Sequence, residues 1–258
     1  MLNFKDWCTT DKATVGLHEL RVITVNSAKI NIGITATAEV VPSHYASEER
    51  IARILARLGK PEASKFIQEL LPTTKAIRSG DLGEILATEF IQERTRYDVP
   101  IKRLRWRDHR NMAMRGDDVI GIAHNEKTGH AKFLKVEAKS RVTLTAGVVK
   151  EARTALDKDD GLPSPHALSF VASRLAETGD DELANLIDDA QLKYGIQQES
   201  VRHLLFTFSA NLPNKILTAS LAGYSGPIGQ WGAGLVVQDH AAFIANVYKQ
   251  VIHNANNS

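Results

Sequence analysis

The sequence predicts an α/β fold: a mixed sheet flanked by helices, with an N-terminal α/β extension. Two observations carry this. Apolar residues recur at helical spacing on both sides of a middle region, Ile101 to Ser140, that instead alternates with period two. Within that region one polar, glycine-containing loop separates two alternating runs, which predicts an antiparallel hairpin.

Taken in order, Leu20 to Val25 and Ala28 to Val40 are rich in Val, Ile and Thr and predict strands ending at Pro42. Ser47 is placed to cap a helix with the apolar face Ile51, Ile54, Leu55 and Leu58, closed by Gly59. Pro61 opens the next helix, whose stripe is Phe66, Ile67, Leu70 and Leu71, and Pro72 stops it. Asp81 is placed to cap a third, with Leu82, Ile85, Leu86 and Phe90 on one face. Three strands then follow: Ile101 to Arg107, Asp118 to Ala123 and Lys132 to Ser140. The last two are joined by the polar loop His124 to His130.

Helical stripes return at Val148, Val149, Ala152 and Leu156, then after Ser164-Pro165, then from about Asp180 to Tyr194. Val201 to Ser209 reads as a buried strand, Gly223 to Gly234 as a glycine-rich loop and Leu235 to Val237 as a short strand. Asp239 starts a last helix bearing Phe243, Ile244, Val247, Val251 and Ile252, with residues 254–258 frayed. No linker divides the chain. The reading is an extension over residues 1–77 packed on a core over residues 78–258.

Composition excludes several classes of function. The 258 residues carry a net charge of only +2, so a nucleic-acid partner would have to be met by local clusters. Cys8 is the single cysteine, which rules out an internal disulfide and a cysteine zinc site and fits a reducing compartment, the cytosol. No signal peptide is expected, because Asp6 comes early and no apolar stretch follows. No apolar run reaches the roughly 18 residues of a membrane span. Gly223-Tyr-Ser225-Gly226 misses the serine-hydrolase elbow by one position. The glycines from Gly226 to Gly234 precede a strand, which is wrong for a dinucleotide loop.

The chemistry concentrates in the hairpin. Side chains alternate along a strand, so Lys135, Glu137 and Lys139 share one face while Leu134, Val136 and Ala138 pack on the core. A turn centred between Lys127 and Thr128 sets Asp118 opposite Glu137; a shift of one residue would set Asp117 there instead. Two carboxylates so close need a cation between them. Mg2+ suits this, since it takes one or two carboxylates plus water and phosphate oxygens, and it activates water as a nucleophile. Lys139 would orient that water or steady charge in the transition state. Glu84, on the preceding helix, would complete the acids, although Asp81-x-x-Glu84 also has the spacing of a capping box.

These residues resemble the PD-(D/E)xK nuclease superfamily: Gly83-Glu84 in a helix, Gly116-Asp117-Asp118-Val-Ile-Gly, then Val136-Glu137-Ala138-Lys139. The resemblance implies a restriction-endonuclease-like fold. It implies Glu84, Asp118 and Glu137 as acids of a Mg2+ or Mn2+ site, and Lys139 as the catalytic lysine. Asp118 is preferred over Asp117 because alternating apolar residues follow it directly; no proline precedes it, a departure the superfamily tolerates. Three segments are more narrowly similar to the nuclease subunits of Hachiman anti-phage defence systems: Arg78-Ser-Gly-Asp-Leu-Gly-Glu84, Leu104-Arg-Trp-Arg-Asp108 and Phe133-Leu-Lys-Val-Glu-Ala-Lys-Ser140. This similarity runs from roughly Ser43 onward. It implies a DNase partnered with a superfamily-2 helicase, or else a catalytically weak or silent DNA-binding or helicase-regulating subunit on the same fold.

Before Asp118 lies a basic cluster: Lys102, Arg103, Arg105, Arg107, His109, Arg110 and Arg115, with Trp106 among them. It reads as a phosphate-contacting surface with Trp106 stacking on a base, or as a charged strand edge with Trp106 in the core, or as a face for an acidic partner.

Overall fold

The computed structural model describes residues 2–114, 116–125 and 129–257. β1 (Cys8–Val15) and β2 (His18–Val25) form an antiparallel hairpin whose turn holds Gly16 at φ +60°, a conformation glycine adopts without strain.

The stretch expected to be a strand over Ala28 to Val40 is instead helical: a 3-10 turn over Ser27–Lys29 leads into α1 (Ile30–Tyr45). Its β-branched residues suggested a sheet, yet Ile34, Ala38, Val41 and Tyr45 also fall at helical spacing, and all four are buried. Pro42 sits inside this helix and does not end it. α2 (Glu48–Leu58) is capped by the Ser47 side chain, which accepts from the Arg50 N–H, and closes at Gly59 with φ +88°. α3 (Lys60–Leu70) follows.

α4 (Lys75–Arg94) starts at Thr74, whose side chain accepts from the Ile77 N–H. Asp81 is therefore no cap. It is buried within the helix, where Arg107 and the Tyr45 hydroxyl hold its carboxylate. Glu84 accordingly lies mid-helix and not in a first turn.

Ile101 to Arg107, expected as a strand, instead leads into a 3-10 helix over Arg103–Trp106. Its arginines find partners inside the protein, as detailed below, and so do not line one side of a sheet edge. β3 (Val119–His124) and β4 (Ala131–Arg141) form the expected antiparallel hairpin. α5 (Ala146–Leu156) and α6 (Pro165–Thr178, capped by Ser164) follow. α7 (Asp181–Asp188) continues as a π-helical turn to Tyr194.

β5 (Val201–Ser209) is buried throughout except at Arg202. α8 (Asn214–Ala222) was not foreseen by the sequence reading. β6 (Gly229–Val236) corrects the expected glycine-rich loop: the strand begins at Gly229 and absorbs Gly232 and Gly234. α9 (His240–Asn257) is helical through residues 254–257, which were expected to fray; Ser258 lies outside the described residues.

The glycines of β6 are there for closeness. A Cβ on Gly232 would lie 3.2 Å from Leu20 and 3.3 Å from Leu221, and one on Gly234 would overlap the Pro213 ring. Gly234→Ala is therefore expected to destabilise the fold by about 1–3 kcal/mol through overpacking, read as a lower urea midpoint.

Among the described residues the strands make one six-stranded sheet in the order β1-β2-β6-β5-β4-β3. The inner strands β2, β6, β5 and β4 run parallel, and β1 and β3 are antiparallel edges. One face packs under α1, α4 and α9, with Phe206, Phe208, Leu134, Phe90, Phe243 and Tyr248 at the centre of the core. The other face packs under α6 and α7 near β3 and β4, and under α5 and α8 near β2 and β6. This is the restriction-endonuclease-like arrangement of a mixed sheet between helices. It leaves the β3–β4 end of the sheet at the meeting point of α4, the 103–106 turn and α6.

Candidate active site

The hairpin register pairs Val119 with Val136. One step further it sets Asp118 against Glu137, as the turn expected between Lys127 and Thr128 requires; those two residues themselves lie outside the described residues. Backbone geometry fixes the aspartate, because its Oδ2 accepts from the Ala138 N–H at 2.9 Å. Two positions along β4, the Lys139 ammonium donates to Glu137 Oε1 at 2.5 Å.

Asp117 points elsewhere. Its Oδ2 accepts from the Ser164 N–H at 2.8 Å, and its Oδ1 lies 3.7 Å from the buried Lys135 ammonium. Lys135 in turn donates to the Lys158 and Leu162 carbonyls. Of the two neighbouring aspartates, Asp118 is the one bonded to the β4 backbone beside Glu137 and to Arg103, while Asp117 is bonded to Ser164 and lies beside Lys135.

Glu84 reaches this cluster through Arg103. The guanidinium donates from Nε to Glu84 Oε2 at 2.9 Å and from Nη2 to Glu84 Oε1 at 2.8 Å. The same Nη2 donates to Asp118 Oδ1 at 3.0 Å, and Nη1 to the Asp117 carbonyl at 2.8 Å. Such forked, charge-assisted bonds are the strongest arrangement an arginine makes with carboxylates.

The side chains of these five residues are 12–21% exposed, buried enough for their charges to interact strongly yet still open to solvent. Burial raises the pKa of Asp118 and Glu137, and the Asp118 charge adds to the effect on Glu137 while Lys139 opposes it. Burial also lifts Glu84, to about 7; Arg103 works against the rise and Asp118 adds to it.

An all-oxygen set of buried carboxylates that resist ionisation suits a hard divalent cation. Among the described residues, no three Asp, Glu, His or Cys side chains converge on one point. Asp118 and Glu137 with solvent satisfy the one-or-two-carboxylate preference of Mg2+, whereas the Glu84 carboxylate is engaged by Arg103. A carboxylate that must give up its proton to take a cation ties binding to pH. Mn2+ affinity is expected to tighten as pH rises through the raised range in which Asp118 and Glu137 give up their protons, with proton release seen by calorimetry in buffers of different ionisation enthalpy.

The sequence reading missed the support behind the lysine. The Ser140 hydroxyl bonds Ser79 Oγ at 2.8 Å and His240 Nε2 at 2.9 Å. Burial holds the His240 pKa down at about 4, so its ring is neutral. A Cβ on Gly83 would lie 3.1 Å from Ser140 Cβ, so this glycine lets α4 approach β4 beside Lys139. The signal available in the sequence was Gly83 itself, inside an otherwise regular helix.

The basic cluster, read as a phosphate-contacting surface, makes several internal contacts. Arg103 holds the two acids. Arg105 Nε donates to the Ser43 carbonyl, Arg107 pairs with Asp81, and Arg110 donates to the Glu69 carbonyl. Arg115 lies outside the described residues. Trp106 packs edge-on against Phe170 with ring centroids 6.0 Å apart.

Fold and site together define a restriction-endonuclease-like protein with an acid–acid–lysine cluster on an edge hairpin. The chain belongs to the HamA family, whose model matches residues 2–251. It is similar to the Hachiman protein HamA of Bacillus cereus, at 26% identity over 244 residues, covering 92% of this chain and 86% of that protein. The similarity thus reaches well before Ser43, where the sequence motifs alone began it. No helix among the described residues is long and apolar enough to cross a membrane.

Proposed function

We propose that this protein is a Mg2+- or Mn2+-dependent DNA nuclease acting in Hachiman anti-phage defence beside a superfamily-2 helicase partner. The observation that carries the reading is the hairpin: Asp118 set against Glu137, with the Lys139 ammonium bonded to Glu137. Membership of the HamA family supports the defence context. The helicase partner rests on the sequence resemblance.

Asp118 and Glu137 would hold the cation, with Glu84, now held by Arg103, as the nearby further acid. The bound cation would supply a more acidic water and charge neutralisation at the phosphate. Lys139 lies at the edge of the acids, where its ammonium can orient the attacking water and steady the charge that grows on the phosphate oxygens. Glu137 holds that ammonium in place, and the Ala138 N–H keeps Asp118 from turning away.

A second reading is a weak or silent DNA-binding or helicase-regulating subunit. The Arg103 contacts favour it, because they neutralise Glu84 and Asp118 from within. Calorimetry with Mn2+ separates the two. The nuclease reading expects binding that Glu137→Gln removes. A folded wild type without metal binding, and no change on Glu137→Gln, supports the silent subunit.

A further inference from the structure

We infer that Arg103 is an internal competitor for the metal site, an arginine plug that a divalent cation must displace from Asp118 and Glu84. The inference rests on the nuclease reading and adds a restraint built into the chain itself.

Its first ground is shared atoms. Arg103 Nη2 is 3.0 Å from Asp118 Oδ1 and 2.8 Å from Glu84 Oε1, while Asp118 Oδ2 accepts from the Ala138 N–H. A cation on Oδ1 would have to take the place of the guanidinium, and one on the remaining lone pair of Oδ2 would stand close to its fixed positive charge. Guanidinium and divalent ion therefore exclude one another by repulsion as well as by occupancy.

The second ground is anchoring. Residues flanking Arg103 are held in place: Lys102 Nζ donates to Ser43 Oγ at 2.9 Å, and Arg105 Nε to the Ser43 carbonyl at 2.8 Å. Leu104 is buried, and Trp106 rests on Phe170. With the flanking backbone so anchored, displacement would be a rotation of one long side chain, 12% exposed, that also gives up its bond to the Asp117 carbonyl. This sets the plug apart from a structural pair such as Arg107 with Asp81, which is 5% exposed on both sides.

The third ground is convergence. Arg103 Nη2 joins Glu84, on α4, to Asp118, on the hairpin. With that bridge in place no three acids come together among the described residues. Its departure frees both carboxylates for one ion.

The test is Mn2+ binding to the purified full chain, followed by calorimetry and by the paramagnetic resonance of free ion. Arg103→Gln is expected to tighten the apparent Kd about tenfold or more, the order of one charge-assisted hydrogen bond removed from a competitor. Arg103→Lys, which keeps the charge but loses the fork, is expected to fall between. An Arg103→Gln protein with wild-type circular dichroism and unchanged or weaker Mn2+ affinity overturns the inference, since a clamp that organises the acids would give that result.

Should Arg103→Gln fail to fold, arginine-labelled wild type serves. Saturating Mg2+ is expected to move the Arg103 Nε–H resonance, assigned by its loss in Arg103→Lys, and an unmoved resonance overturns the inference. Mn2+ uptake that Glu137→Gln removes but Arg103→Gln leaves unchanged defeats the plug and spares the nuclease. No uptake by any variant defeats both.

Discussion

Glu137→Ala is expected to reduce DNA cleavage by at least about 10²-fold while leaving the thermal midpoint nearly unchanged. A preorganised charged group in a partly buried site supplies that order of rate. Glu137 faces Asp118, bonds Lys139 and stands 14% exposed, so its loss removes a metal-site acid and unseats the lysine together. Stability should change little, because burial disfavours its charge in the folded protein. The freed Lys139 is 21% exposed and can turn to water. Single-turnover cleavage of end-labelled DNA and a melting curve on the same preparation check both halves. A fall in rate matched by a fall in melting temperature would signal misfolding and not lost chemistry.

Asp81→Ala is expected to cost about 3–5 kcal/mol of stability, the usual penalty for stranding one partner of a buried ion pair. For a domain of this size that is a drop of roughly 10 °C in melting temperature. Asp81 Oδ2 accepts from Arg107 Nη1 at 2.8 Å and from the Tyr45 hydroxyl at 2.6 Å, and Oδ1 accepts from Arg107 Nη2 at 2.5 Å. The Tyr45 hydroxyl also bonds that of Tyr248 on α9. Removing the carboxylate therefore leaves a guanidinium without its counter-charge and loosens the contact between α1, α4 and α9. Asp81→Asn keeps an acceptor and should lose less. An exposed capping aspartate, as the sequence suggested, would cost only about 1 kcal/mol. The size of the loss thus decides between the two roles.

The hairpin was legible because it depends on local rules. Period-two alternation marked the faces of β4, and the polar loop marked the hairpin, leaving Asp118 or Asp117 opposite Glu137 until the register pairs Val119 with Val136. The helices from α5 to α7 were legible for the same reason, since Ser164-Pro165 and regular apolar stripes mark their starts and faces. What failed depends on partners distant in sequence. The Ala28 to Val40 run satisfied both strand and helix spacing, and only packing on the sheet and against Trp7 decides it: a Cβ on Gly33 would overlap the Trp7 ring. Asp81 resembled a cap because nothing nearby announces Arg107, 26 positions on. The glycines of β6 looked like a loop because the groups that crowd them come from β2, β5, α8 and Pro213.

The site divides in the same way. Glu84, Asp118, Glu137 and Lys139 stood out as residue types in an order. The contact between Arg103 and two of those acids did not, because an arginine in a basic cluster looks like a phosphate ligand until its own carboxylates are found. Asp118 was preferred over Asp117 for the apolar run that follows it, and the two carboxylates do turn apart: Asp117 to the Ser164 N–H, Asp118 to the Ala138 N–H.

Digestion of plasmid DNA by the purified chain, with Mg2+ or with EDTA and beside Lys139→Ala, tests the central claim most directly. The account requires cutting by wild type with the ion, none with EDTA, and none by a folded Lys139→Ala. Cutting that survives EDTA, or a Lys139→Ala protein as active as wild type, would contradict it.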